Sequence, residues 1–368
     1  MRLERLAAAG FRNLAPFDLS LDPRAVVVRG PNAQGKTNFL EALYVCATGR
    51  SFRGATSAEL LAHDAAVGSL RCTLSRQDVR HDIEVELTRD RRSMRVDGRN
   101  LASTSRLLTI VNVVAFFPDD LRIAKGSPEE RRRFLDRAVG NYQPDFVEAA
   151  QAYAKALKAR NALLKQGRAP GGIDRELLSV YDEQLVKHGA LVQARRTAAL
   201  AKLVPVAQRC FREIMGSALE ITFTLTQGFE GDDSAPYAEG FVLALQRALT
   251  KDRALKQTTV GPHRADVRMI LDGHDARTMA SQGQQRAMVL ALKLAEVETL
   301  AHELTSPPIL LLDDVSSELD AERTQQLFRT VEGLGCQLFV STTGAVPLPV
   351  REGAQWLSVS EGRLSTLP

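Results

Sequence analysis

The sequence predicts an α/β fold whose sheet-forming halves are separated by an inserted, mostly helical domain. Three observations carry that expectation. The β-branched run Ala25–Val28 leads into Gly30, four variable residues and Gly35-Lys36-Thr37, and the helical pattern of Phe39, Leu40, Ala42 and Leu43 follows. Far downstream, the apolar run Ile309-Leu310-Leu311-Leu312 ends in Asp313-Asp314. Between these two, from Ser127 onward, apolar positions recur at the three- and four-residue spacings of a helix.

In chain order, Leu3 to Leu21 reads as two short strands about a turn that holds Phe11-Arg12-Asn13-Leu14, and the third strand ends in the glycine-bearing loop. The helix after that loop is expected to reach about Thr48, with a basic loop, Gly49-Arg50-Ser51-Phe52-Arg53, behind it. Strands resume over 65–74 and 82–87, and a hairpin carries Arg89, Arg91, Arg92, Arg95 and Arg99, with Asp97-Gly98 as a second turn signal. Leu108–Phe117 reads as one continuous buried strand. At Pro118-Asp119-Asp120 the character changes. Ser127 suits an N-cap, Pro128 the first helical position, and Glu129 and Glu130 the first turn. Beyond Pro144, residues Val147, Ala150, Ala154, Leu157, Asn161 and Leu164 make an apolar seam with one polar member. Ala169–Gly172 is a turn, and a second long helical pattern passes through Leu178, Tyr181, Leu185, His188 and Val192. Either an antiparallel helical hairpin or an ordinary bundle satisfies this pattern. Further strands are expected at Ile221–Leu225, Val267–Leu271, Ile309–Leu312 and Gln337–Val340, and helices near Phe241–Leu255, Ser281–Leu304 and Ala321–Glu332. The expected division is thus 1–117 for the first part of the α/β lobe, 118–255 for the helical insertion and 256–368 for the rest of the lobe.

Composition narrows the class. At 368 residues there is room for two domains, and 25% charged with 44% hydrophobic residues is ordinary for a globular protein. A formal charge of +4 allows a nucleic-acid partner without requiring one. Cys46, Cys72, Cys210 and Cys336 are scattered, with neither a C-x-x-C pair nor metal-ligand spacing, which points to reduced thiols. Gly10, Arg12 and Asn13 interrupt what would be the apolar core of a signal peptide, and no apolar run approaches the ~18 residues of a membrane span. A soluble cytoplasmic protein with no membrane partner is expected.

The stretch Gly30-Pro31-Asn32-Ala33-Gln34-Gly35-Lys36-Thr37-Asn38 has the G-x-x-x-x-G-K-[ST] spacing in the strand–loop–helix setting that gives this motif its meaning. Glycine lets the backbone curl so that successive N–H groups face phosphate oxygens, and the following helix start adds a positive dipole. Lys36 is placed to reach the β- and γ-phosphates and Thr37 to ligate Mg²⁺, so ATP and Mg²⁺ are the expected cofactors. Asp313, at the end of a buried strand, is the other expected member of the Mg²⁺ shell. Asp314 stands where a hydrolytic ATPase places the carboxylate that polarises the attacking water. Ser281-Gln282-Gly283-Gln284-Gln285-Arg286 opens an apolar helix with a serine cap, a glycine and amide side chains, a surface suited to phosphate. Within one chain it would duplicate the first cradle. It makes sense if Ser281, Gly283 and Gln284 meet the γ-phosphate of ATP held by a second copy.

The order of phosphate loop, helical insertion, S-Q-G-Q-Q-R and I-L-L-L-D-D-V-S-S-E-L-D resembles the ABC-type ATPase heads of the SMC and Rad50 class, Ser316–Asp320 matching the D-loop of that class. Three further stretches are similar to the RecF family of bacterial DNA replication and repair proteins: Phe117–Leu121 with Gly126–Asp136, Gly261-Pro262-His263-Arg264-Ala265-Asp266, and Tyr181–Gly189. Tyr181 stands for a Trp, Ala265 for an Asp, and Asp314 for the longer glutamate usual in ABC ATPases. No clear Q-loop glutamine is present, and Ser341-Thr342-Thr343 occupies the place of a histidine. The resemblance implies an α/β fold, an ABC-type P-loop ATPase head with an inserted mostly α-helical second domain. It further implies an ATP-driven homodimer that clamps double-stranded DNA near gaps or junctions, with weak hydrolysis, in recombinational repair, replication and the SOS response to DNA damage. RecR, with RecO, is the implied partner in loading recombinase. The other readings are an SMC-type chromosome organiser, for which the insertion is too short, an ATP-binding scaffold without turnover, and a transporter ATPase, which the G-P-H-R segment does not fit.

The basic residues leave alternatives. Arg131-Arg132-Arg133 either gathers phosphate or is spent on salt bridges with Glu129 and Asp136, because consecutive helical residues splay by about 100° each. Arg89, Arg91, Arg92 and Arg95 suit DNA phosphates, or form a solvated basic turn. With 5% aromatic residues, backbone contacts to duplex fit better than a stacking groove for single strands. His263 faces nucleotide or an interface, or is a structural turn residue.

Overall fold

The computed structural model describes the chain except residues 23, 102–103, 167–173, 233, 305, 315–320, 345–347, 351–352 and 368. Two compact units result, the first made of 1–121, 209–216 and 289–368 and the second of 122–208 and 217–288. The strands are β1 (Arg2–Ala9), β2 (Phe17–Ser20), β3 (Ala25–Arg29), β4 (Gly68–Arg76), β5 (Val79–Leu87), β6 (Arg92–Val96), β7 (Arg99–Asn100) and β8 (Val113–Phe116). After these come β9 (Ile221–Leu225), β10 (Val267–Leu271), β11 (His274–Asp275), β12 (Ile309–Leu312), β13 (Gln337–Thr342), β14 (Gln355–Ser360) and β15 (Arg363–Thr366).

In the first unit, one sheet has the order β15-β14-β3-β13-β12-β8 and is parallel except for β15. The other, β2-β1-β4-β5-β6-β7, is antiparallel throughout. The helix Lys36–Thr48 packs against β8 and β13 of the first sheet and against β4 and β5 of the second. With both sides covered, it has no polar stripe: Phe39, Leu40, Ala42, Leu43, Val45, Cys46 and Ala47 are all buried. Burying a Phe or Leu side chain contributes about 1.5–3 kcal/mol, so this helix fixes the unit's core and, with it, the loop at its start. The parallel strands β3, β8 and β12 are likewise continuous apolar runs because both of their faces are covered.

Two expectations for this unit change. Leu108–Phe117 is not one strand. Residues 104–108 are helical, a turn follows, and only Val113–Phe116 pairs, because its neighbour β12 offers just four residues, Ile309↔Val113 to Leu312↔Phe116. The sheet also does not end at β13. The hairpin β14–β15 adds two strands beside β3, turning at Glu361-Gly362, both with positive φ (48° and 75°). Its signal was the alternation of buried Leu357 and Val359 with less buried serines.

The second unit holds the helices Pro128–Tyr142 and Pro144–Gln166, most of Arg175–Met215, the helix Tyr237–Leu255 and the three-stranded sheet β11-β10-β9. Ser127 caps its helix as expected, in a reciprocal pair with Glu130. In Pro144–Gln166 the buried stripe is Phe146, Ala149, Tyr153, Ala156, Arg160 and Leu163, one residue ahead of the predicted seam except at its end, where Leu164 is buried as expected. The turn read at Ala169–Gly172 lies outside the described residues. The unit boundary falls after Met288 rather than after 255, because β10 pairs with β9 along five residues and binds the 256–288 segment to the helical unit. Among the described residues no helix is long and apolar enough to cross a membrane.

Candidate functional site

The loop after β3 is shaped by what surrounds it. A Cβ on Gly30 would lie 2.3 Å from the Val359 carbonyl oxygen, so only glycine lets β3 pass β14 at this height. Gly35 has φ +118°, and a Cβ there would sit 2.8 Å from Leu14. The turn of the C-terminal hairpin supports the loop from outside: the Gly362 N–H donates to the Gln34 carbonyl at 3.0 Å and the Glu361 N–H to Gln34 Oε1 at 2.6 Å. Asn38 donates to Asn13 Oδ1 at 2.7 Å.

Lys36 is buried, and its Nζ donates to the Gly30 and Pro31 carbonyls at 2.8 and 2.9 Å and to Asn32 Oδ1 at 3.4 Å. Burial lowers its pKa, against the pull of Asp314 and Asp313. The Thr37 hydroxyl donates to Asp313 Oδ1 at 3.0 Å, and Ser341 donates to the same oxygen at 2.6 Å. Ser341 in turn accepts from the Asp314 N–H at 2.9 Å. Parallel pairing of Leu312 with Val340 sets Asp313 beside Ser341. Burial raises the pKa of the Asp313 carboxyl, and the hydrogen bonds from Ser341 and Thr37 oppose it. Asp314 turns out of the strand with φ +49°. Lys36, Thr37, Asn38, Arg53 and Asp314 face a recess of about 300 Å³. A larger, open recess of about 680 Å³ shares Asn38 and is lined by Arg12, Asn13, Glu59, His63 and Arg89.

Three residues without an assigned role in the sequence belong to this region. Glu41 lies wholly buried in the central helix and accepts from Arg12 at 2.9 and 3.1 Å and from the Ser51 hydroxyl at 2.5 Å. Arg53, from the basic loop, donates to Asn38 Oδ1 at 3.0 Å. Ser341 stands behind Asp313. The legible signal was Glu41 itself, a lone acid in an otherwise apolar helix.

Ser281 lies in the second unit and caps the helix Gln282–Glu303. Its N–H donates to Gln284 Oε1 at 2.7 Å, and its hydroxyl accepts from the Gln284 N–H at 3.3 Å. Ser281 is exposed, while Gly283 and Gln284 are half-buried. Ser316–Asp320 lies outside the described residues. The arginine triplet is spent inside its unit: Arg131 on Asp266 (2.7 and 3.0 Å), Arg132 on the Ala265 carbonyl (2.6 Å) and Arg133 on Glu129 (2.5 Å). Asp136 pairs instead with Arg196, at 2.6 and 2.9 Å. His263 is half-buried between the Tyr153 hydroxyl, 2.6 Å from Nδ1, and the Thr258 carbonyl, 3.0 Å from Nε2. Burial lowers its pKa to about 4, which makes it a neutral structural residue. Of the hairpin arginines, Arg92 is tied to the Gly49 carbonyl (2.6 Å), while Arg89, Arg91, Arg95 and Arg99 are exposed, Arg95 lying 3.8 Å from Glu84.

A family model described as the RecF/RecN/SMC N terminal domain matches residues 2–352. A relative from Myxococcus xanthus, named DNA replication and repair protein RecF, is 39% identical over 372 residues, covering 99% of this chain and 97% of the relative. One of the same name from Geobacter sulfurreducens is 38% identical over 347 residues, covering 93% of each. Among solved structures, the recombination mediator protein RecF with ATP, of the RecFOR pathway, superposes with a TM-score of 0.90 at 33% identity, covering 100% of this chain and 98% of that one. An Smc head bound to the C-winged helix domain of ScpA superposes at 0.59 with 15% identity, covering 100% and 97%, a likeness of fold alone.

Proposed function

The chain belongs to the RecF family, and from that premise we propose that it is an ATP-dependent DNA-binding protein of recombinational repair and replication. The observation that carries most weight is the meeting of Thr37 and Asp313 at 3.0 Å beside Lys36, from two segments far apart in sequence. A triphosphate in the recess would replace the three loop oxygens now facing Lys36 Nζ. A Mg²⁺ ion would take Thr37 and Asp313 with phosphate and water oxygens, since that ion fills its shell with few protein ligands. The larger recess beyond Asn38 has room for the nucleoside. Asp314 would polarise the attacking water, and its short side chain favours slow hydrolysis.

Ser281, Gly283 and Gln284 read the γ-phosphate of ATP held by a second copy, so that ATP favours a homodimer by binding that state better. The exposed Arg89, Arg91 and Arg99 supply contacts to duplex phosphates, and RecR with RecO is the partner expected of the family. The test is nucleotide binding and sedimentation of the chain and of Lys36→Ala. Loss of a charge-assisted contact of roughly 1.5–3 kcal/mol should abolish tight ATP binding and any ATP-dependent increase in mass. A Lys36→Ala protein that binds ATP and sediments like the unchanged chain would refute the site.

A further inference from the structure

Arg53 faces the same recess as Lys36, Thr37 and Asp314, yet it comes from neither the phosphate loop nor the strand that ends in Asp313. Its guanidinium donates to Asn38 Oδ1 at 3.0 Å, lies 3.8 Å from Glu41 and remains 40% exposed, free to face a ligand. Asn38 follows Thr37 directly in the chain, so this bond sets Arg53 at the end of the recess where Thr37 lies, with Asp314 on the same lining.

The neighbouring residue fixes that position. The Arg53 guanidinium stands over the Phe52 ring, 5.6 Å from its centroid. Phe52 in turn stacks on Phe117, with centroids 3.4 Å apart and planes 14° apart, and Tyr44 meets both rings edge-on. Phe117 is the anchored side of this stack. Its N–H donates to Asp120 Oδ2 at 2.9 Å, Asp120 lies 3.2 Å from buried Lys293, and Lys293 donates to the Ala115 carbonyl at 2.8 Å. The loop side has polar ties of its own: the Ser51 hydroxyl accepts from the Arg53 N–H at 3.0 Å, and Arg92 holds the Gly49 carbonyl. Those ties fix the backbone of the loop. They leave the direction of the Arg53 side chain to Phe52, Asn38 and Glu41.

We propose, on the reading of this recess as a nucleotide site, that Phe52 is a positioning residue whose stack on Phe117 holds Arg53 at the terminal-phosphate end of bound ATP. Phe52 does not touch the nucleotide; it acts through Arg53, and its effect falls on ATP more than on ADP.

The experiment is equilibrium binding of ATP and of ADP to the full chain and to Phe52→Leu, Arg53→Ala and the double variant. Loss of an arginine–phosphate contact should weaken ATP roughly tenfold or more in Arg53→Ala, with a smaller change for ADP. Phe52→Leu should weaken ATP several-fold in the unchanged background and have no further effect once Arg53 is alanine. Phe52→Trp keeps a stacking face and should bind ATP like the unchanged chain. Phe52→Met removes the ring at similar volume and replaces the leucine variant if that does not fold. Equal losses from Phe52→Leu in both backgrounds would assign the ring to the fold rather than to Arg53, and no loss in either would leave Arg53 independent of it; each overturns the proposal. Lys36→Ala separates the premise: wild-type ATP binding there refutes the nucleotide site itself, whatever Phe52 does.

Discussion

Asp313 sets cation binding against stability. Burial holds its carboxyl above the ordinary 3.8, so the native chain binds the proton more tightly than the unfolded chain does. Its ionised form therefore weakens the fold above the native pKa, and that penalty fades as pH falls through the native pKa toward 3.8. At neutral pH, Asp313→Asn removes the buried charge and keeps an oxygen for Thr37 and Ser341. It should raise the thermal midpoint of the ligand-free protein while removing Mg²⁺-dependent ATP binding. Calorimetry with and without Mg²⁺ and ATP reads both effects, and an unchanged or lower midpoint would show that burial of this charge is not limiting. Lys36, Thr37 and Asp313 were legible because their neighbours restrict residue type over several consecutive positions. Arg53, Glu41 and Ser341 were not, because Arg53 reaches the recess only through a loop anchor, while Glu41 and Ser341 bear on it from behind, through a buried ion pair and the register of β12 on β13.

Elements were legible where period and partner agree. Ile221–Leu225, Val267–Leu271 and Ile309–Leu312 fall where the alternation or the apolar run put them. The helix Pro144–Gln166 shows how phase is lost. An arginine reads as surface, yet Arg160 lies on the buried stripe and is wholly buried, 2.6 Å from Asp182 and 2.7 Å from buried Asp252. Removing one partner of a buried pair strands the other charge, so Arg160→Ala should cost about 3–5 kcal/mol. Denaturant titration followed on the helical signal measures this; a loss below about 1 kcal/mol would mean that Asp252 finds another partner. His263 stabilises the same unit in its neutral form. Its pKa falls from 6.5 to about 4 on folding, so the stabilisation is complete above pH 6.5 and is lost as pH drops through 4. The difference is roughly 3 kcal/mol. His263→Gln can still bond Tyr153 and Thr258, and it should flatten the stability profile between those two pH values. A profile as steep as that of the unchanged chain would assign the acid sensitivity to other groups.

For the whole molecule, the division into units separates the two sequence features that phosphate chemistry singles out. The recess belongs to the first unit and Ser281 to the second. The sequence placed Ser281 on the wrong side of this division, because pairing of β10 with β9 is a long-range fact that no local pattern carries. The helix that Ser281 opens needs no phosphate for its own stability, since Ser281 and Gln284 already satisfy each other's backbone N–H. Its exposed hydroxyl can therefore serve a second copy without cost to the fold. Ser281→Arg removes the cap, worth about 0.5–2 kcal/mol, and sets a long cation at an exposed helix start. If Ser281 meets ATP held by another chain, nucleotide affinity should stay within about twofold at monomer concentrations, a change of under 0.5 kcal/mol. The ATP-dependent increase in sedimentation should vanish. Salt dependence of duplex affinity, measured alongside, should keep its slope if Arg89, Arg91 and Arg99 carry the phosphate contacts independently. A dimer that survives Ser281→Arg would place the γ-phosphate contact elsewhere, and loss of monomer ATP binding would mean that Ser281 serves the recess of its own chain.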